Sequence, residues 1–319
     1  MFEIAIQNNG VSYVPVLTDD ITVSYERQGT PGKLEFHVLP DEALNFTEGN
    51  RVLLRQDDAL VFMGYVFSKR RTEEKVIDVT AYDQLRYFKN KDIVTYENLT
   101  ASEVLRFKIC DVYGFLPGEI EDTGWKIESR VEDNVTLFDV MQHAMDETLK
   151  NTGNLYVLYD DAGKLTLKNI ANMALDLVIE EQTAESYDYE SSIDDEVYNQ
   201  VKLIYENKET GKREIYLVKD SAHINEWGLL QYLEKVDNPA NARMQAEAML
   251  TLYNQKARKL SVSGVFGDIR VRGGSRIWVN LNLGDVIVQS RMLVEKVTHK
   301  IEGGSHTMDV DLRGGEFIV

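Results

Sequence analysis

The chain has 319 residues, with 35 Lys and Arg against 53 Asp and Glu, a formal net charge of −18. A hydrophobic fraction of 43% and an aromatic fraction of 9% indicate a globular protein of two or three domains, outside the disordered class. So acidic a chain is excluded as a sequence-independent nucleic-acid binder and as a polybasic membrane anchor, because both depend on surplus Lys and Arg.

Residues 1–89 read as short strands of period two. Leu34, Phe36 and Val38 mark one, Val76, Ile77 and Val79 another, with a long central strand from Leu60 to Lys69 and a second from Glu74 to Tyr82. Turn signals such as Asn8-Asn9-Gly10, Thr30-Pro31-Gly32 and Glu48-Gly49-Asn50 separate the strands. The pattern predicts an antiparallel β-barrel domain, since closure hides long edges.

Residues 90–175 change to an α+β module. Thr100 to Glu103 is a capping-box sequence, and Ala101, Val104, Leu105, Ile109 and Val112 form an apolar stripe that Gly114 ends, predicting a helix over 101–113. Leu137, Val140, Met141, Ala144, Met145 and Leu149 predict a second helix over 137–150, followed by a hairpin over 154–168 that turns at Asp161-Ala162-Gly163. Cys110, the one cysteine, lies in the first helix as a packed small residue; a single thiol excludes a disulfide within the chain.

From Asp176 to Glu196 there are nine carboxylates and no Lys or Arg. The stretch is either a solvated connection between domains or a repulsive wall or docking face. Residues 176–319 then read as a second β-barrel domain. Strands are expected near 198–206, 213–219 and 229–236, and Asn238-Pro239 starts a helix over 239–257 that lies beside the barrel. The whole chain is therefore α+β and mainly β, with two tube-like antiparallel barrels separated by the module. In the last hairpin, Gly303-Gly304 at a two-residue turn pairs Ile301 with His306, His299 with Met308, Val297 with Val310 and Glu295 with Leu312. The other face pairs Thr298 with Asp309 and Lys296 with Asp311, the latter as an ion pair.

No residue set points to catalysis, a cofactor or a metal. His299 and His306 share a face, but their surroundings are apolar; His143 and Glu147 stand at i, i+4 on a solvated helix face without further ligands. Gly-x-Ser-x-Gly, G-x-G-x-x-G and a phosphate loop are all missing. Basic features remain at Lys69-Arg70-Arg71 and along Asp268 to Arg276. There Arg270 and Arg272 are expected on one side of a strand, either solvated or contacting the acidic segment of a neighbouring copy.

Several collinear blocks resemble the XkdQ-type tail proteins of PBSX-like prophages. They are Ala81 to Lys91, Leu99 to Glu103, Leu137 to Met141 with Thr148 to Gly153, Leu155 to Asp161, and Gly264 to Trp278. The resemblance implies the baseplate hub of a contractile phage tail or a phage-tail-like bacteriocin, similar to the hub part of type VI secretion spikes. Such hubs place two barrels per chain in a homotrimeric ring that joins the tail tube protein to the spike protein. Further implied partners are baseplate wedge and LysM-type tail proteins and the tape measure protein, with no specific nucleic-acid binding. Glu180, Glu181, Glu185, Asp188, Asp194, Asp195, Arg270, Arg272 and Arg276 become candidate intersubunit or lumen charges. Part of the acidity is then expected to line the channel, repelling DNA that passes through it.

Without a basic n-region at its start, the chain is expected to be made in a bacterial cytoplasm and assembled into the tail baseplate. It ends just past the last hairpin, so no lysozyme, peptidase or spike domain is expected. A peptidoglycan hydrolase of the tail tip and a wall-carbohydrate binding module remain the alternatives.

Overall fold

The structure, a computed structural model, describes all residues except 72, 74, 75, 195, 208, 209, 237, 238, 285 and 315–319, together with the side chain of Asp19. Three residues named above, Glu74, Asp195 and the helix-capping Asn238, lie outside the described residues.

Alternation builds the N-terminal region. In strand Lys33–Val38 every second residue, Leu34, Phe36 and Val38, is fully buried. These face Ala81, Val79 and Ile77 of strand Ile77–Tyr82, so one face of the pair is core and the other is not. Seven strands follow in the order Leu17–Glu26, Lys33–Val38, Ile77–Tyr82, Ala59–Arg71, Arg51–Gln56, Phe2–Asn8 and Val11–Tyr13. The two outermost strands are consecutive in sequence, joined only by residues 14–16. A flat sheet would separate them by about 29 Å at ~4.8 Å per strand, whereas that connection reaches about 14 Å. The run therefore curls back on itself with its apolar face inward.

The C-terminal region is built in the same way. Its order is Ala174–Glu180, Arg276–Asn282, Ile287–Glu302, Ser305–Gly314, Ala257–Phe266 and Ser186–Ser192; the first pair is parallel and the others antiparallel. Again the outermost strands succeed each other in sequence, through the 3-10 turn Glu181–Thr183. The Asn282 N–H donates to the Glu181 carboxylate at 3.1 Å on one side of this turn. On the other side the Glu185 N–H donates to the Ser263 carbonyl at 3.0 Å. The turn thus bridges the two limbs of the run.

The two runs are continuous. Strand Ile287–Glu302 is sixteen residues long, about 50 Å at ~3.3 Å per residue. Its first half pairs with Arg276–Asn282 and its second half with Leu17–Glu26, setting Val297 opposite Tyr25, His299 opposite Val23 and Ile301 opposite Ile21. One hydrophobic core crosses this seam. The described residues form one thirteen-stranded sheet with two inward-curling parts, and no closed ring of hydrogen bonds is found among their pairings. Pairing between segments so distant in the chain leaves no local signal in the sequence.

The final hairpin keeps its expected register from Ile301–His306 to Lys296–Asp311, with one correction. A bulge between Val294 and Lys296 sets Val294, not Glu295, opposite Leu312. The ion pairs also differ. Lys296 reaches Glu26 at 3.6 Å, Asp311 accepts from Ser261 Oγ at 2.6 Å, and Lys300 takes Asp309 at 2.5 Å.

Residues 101–113 are helical throughout, with the Thr100/Glu103 capping box in place and a wider π-helical winding over Val104–Cys110. Helix Leu137–Thr152 packs against this segment, and Cys110 is buried. Helix Ala242–Tyr253 does not lie on the C-terminal run. It covers a separate three-stranded sheet in the order Arg213–Lys219, Gln200–Glu206, Gln231–Val236, with Ala246 and Met249 packed on Val201 and Leu203. The expected barrel helix thus belongs to a small α+β layer of its own.

Candidate functional site

The acidic candidates stay at the surface. Glu180, Glu181, Glu185, Asp188 and Asp194 are all exposed, on the strand ends and turn that border the C-terminal run. Among the described residues strand Ser186–Ser192 pairs only with Ala257–Phe266, which leaves it at the end of the sheet.

The arginines are not brought to these acids as a group. Asp268 to Arg272 is a turn rather than a strand: Asp268 Oδ1 accepts the Arg270 N–H at 3.0 Å and the Val271 N–H donates to the Asp268 carbonyl at 3.0 Å. Arg270 closes on its own Asp268 through Nε and Nη2, at 2.9 and 2.6 Å. Arg276 is buried at the start of strand Arg276–Asn282, and its N–H donates to the Met173 carbonyl at 2.9 Å.

Arg272 turns inward, where three parts of the chain meet. Its Nη1 donates to the Asp160 carbonyl at 3.0 Å, and its guanidinium lies 4.3 Å over the Tyr159 ring and 5.4 Å from that of Tyr25. Asp161 stands 3.7 Å away. Beside it Asp83 accepts the Gly32 N–H at 2.8 Å and the Leu85 N–H at 3.0 Å, capping the 3-10 helix Gln84–Lys89. Asp160 accepts the Gly163 N–H at 2.6 Å. Burial pushes both carboxyls up, Asp160 to about 6; the Asp160 charge raises Asp83 further. The groups surround a cavity of about 10 Å³, room for one water molecule.

The histidines form two further clusters. The His299 Nε2–H donates to the Val271 carbonyl at 2.9 Å. Its Nδ1 therefore accepts, and the His306 Nε2–H donates to it at 3.1 Å. Burial holds His299 at about 4, so the pair is neutral and spent on itself. His143 turns to the buried Glu132 at 2.9 Å rather than to Glu147. Among the described residues no group of three or more His, Cys, Asp or Glu is placed to hold a metal ion, and no helix is long and apolar enough to cross a membrane.

The junction of Tyr25, Asp83, Asp160 and Arg272 was missed as a site. Its signal was present, since Asp83, Asp160 and Arg272 lie in three of the collinear blocks quoted above.

Comparison with known proteins agrees with this fold. The family model described as YqbQ-like matches residues 21–313. The uncharacterized protein YqbQ of Bacillus subtilis (strain 168) is 28% identical over 310 residues, which are 94% of this chain and 93% of that protein. The phage-like element PBSX protein XkdQ of the same strain is 26% identical over the same length and shares. Among solved structures, the prophage MuSo2 43 kDa tail protein from Shewanella oneidensis matches with a TM-score of 0.72 at 12% identity, covering 99% of this chain and 100% of that one. The E. coli c3393 protein, a type VI secretion component with structural similarity to the T4 tail proteins gp27 and gp5, matches at 0.56 and 9% identity, covering 98% and 77%. At such identities these two likenesses are of fold. With its family model matching residues 21–313, across the seam where the two runs join, the chain belongs to the YqbQ-like family.

Proposed function

We propose that the chain is a structural hub in the baseplate of a phage tail or phage-tail-like particle, three copies forming a ring between the tail tube and the central spike. One observation carries this reading: two inward-curling β runs share a strand pairing and a core, giving each copy a stiff double wall. Two tube-like barrels per chain belong to the same reading. Their support is that the outermost strands of each run are consecutive in sequence and joined by a short link.

The role is mechanical rather than catalytic. Cys110 is buried, the paired histidines bond to each other, and the raised carboxylates Asp83 and Asp160 face a cavity too small for a sugar. Cryo-electron microscopy of purified particles carrying a tagged chain tests the proposal. Density for the tag is expected at the tube–spike junction, and its absence from intact tails overturns the reading.

A further inference from the structure

The small sheet next to helix Ala242–Tyr253 has two unequal faces. One lies under the helix. The other is open, and its centre is apolar: Ile215, Leu217 and Leu233 are 57%, 50% and 56% exposed. Ile204 stands opposite Ile215, and Lys202 stands between Leu217 and Leu233. The two-residue period puts Lys202, Arg213, Lys219 and Lys235 on this same face. Among the described strand residues, Glu206 is the one carboxylate there, and Arg213 and Lys235 already hold it at 3.1 and 3.6 Å. A basic-rimmed apolar face of this kind is out of character for a chain of net charge −18.

We infer that this face docks the acidic turn and edge strand, Glu180 to Asp188, of a second copy. Apolar area exposed in one patch marks an interaction site. Its basic rim selects an acidic partner, while its apolar centre suits a protein surface better than a phosphate backbone. The same chain carries the complement. Glu180, Glu181, Glu185 and Asp188 are exposed, and among the described residues none of them stands in an ion pair. Different patches on one chain that fit each other make a head-to-tail contact, the kind that closes rings of three. The inference rests on the ring reading above and names its interface. It also replaces Arg270 and Arg272, which are engaged within the chain, as the basic side of that contact.

Sedimentation and zero-length carbodiimide cross-linking of the full chain, mixed from ¹⁴N- and ¹⁵N-labelled protein, test it. Mixed-isotope links from Lys202, Lys219 or Lys235 to Glu180, Glu181, Glu185 or Asp188 are expected. Lys202→Glu with Lys219→Glu should weaken self-association by about tenfold or more with an unchanged melting curve. Mixing that variant with Glu185→Lys/Asp188→Lys protein should restore association. Undiminished self-association of K202E/K219E, a wild-type chain that stays monomeric, or a face whose loss changes only DNA retention overturns the inference. Absence of the chain from tails would remove the hub role and leave this contact measurable; absence of the contact would leave the position in the tail untouched.

Discussion

Arg27 donates through Nε to the Glu295 carboxylate at 2.7 Å, and its backbone N–H donates to the Glu295 carbonyl at 2.8 Å. The Arg27 side chain is only 10% exposed. This double link fastens the N-terminal run to the bulge of strand Ile287–Glu302. Arg27→Ala is expected to cost about 1–3 kcal/mol, because it leaves a half-buried carboxylate without its partner. Denaturant unfolding should show a lower midpoint, an unchanged slope and a single transition, since one core serves both runs.

Two buried groups give stability opposite pH dependences. His299 is held at about 4 by burial, against ~6.5 when unfolded, so its contribution is complete above ~6.5 and is lost as pH falls to about 4. Asp160 is raised to about 6, against ~3.9 when unfolded; its contribution is complete below ~3.9 and is lost as pH rises to about 6. Asp83, pushed up by burial and by the Asp160 charge, acts in the same sense as Asp160, and His299 opposes them both. His299→Gln should therefore lose stability as pH rises across the window from about 4 to 6, more steeply than the unsubstituted chain. Melts at half-unit pH steps read the two slopes directly.

Gly273 is demanded by close approach. A Cβ there would lie 2.3 Å from the Arg27 nitrogen and 2.4 Å from the Glu26 carbonyl carbon, both main-chain atoms of the seam. Gly273→Ala should cost roughly 1–3 kcal/mol, and more if the seam strand cannot shift. Thermal melting and soluble yield measure the loss.

Cys110 should resist thiol reagents in the folded protein. It is buried, and burial pushes its thiol up to about 11, so little thiolate forms at neutral pH. Labelling is expected to appear only across the unfolding transition, as followed by mass spectrometry in increasing denaturant.

The sequence was most legible where order is local. The Thr100/Glu103 capping box and the last hairpin from Ile301–His306 to Lys296–Asp311 need only neighbouring residues, and both are present. Asp268 to Arg272 misled because its alternation of charged and apolar residues fits a strand, while the Asp268 side chain folds the backbone into a turn. The Glu295 bulge was invisible for another reason. The bulged Glu295 is held by Arg27, from the far end of the chain, and no hairpin rule contains that residue. The Asp83, Asp160 and Arg272 junction likewise needs three distant segments brought together before its chemistry exists.

The pairing of Leu17–Glu26 with Ile287–Glu302 also governs how the molecule bears load. It runs over six consecutive residue pairs, Glu26–Lys296 to Ile21–Ile301. A pull along these strands strains all six rungs at once instead of peeling them in turn. The pairing and the shared core couple the two halves along this line, so a sudden thrust moves them as one lever.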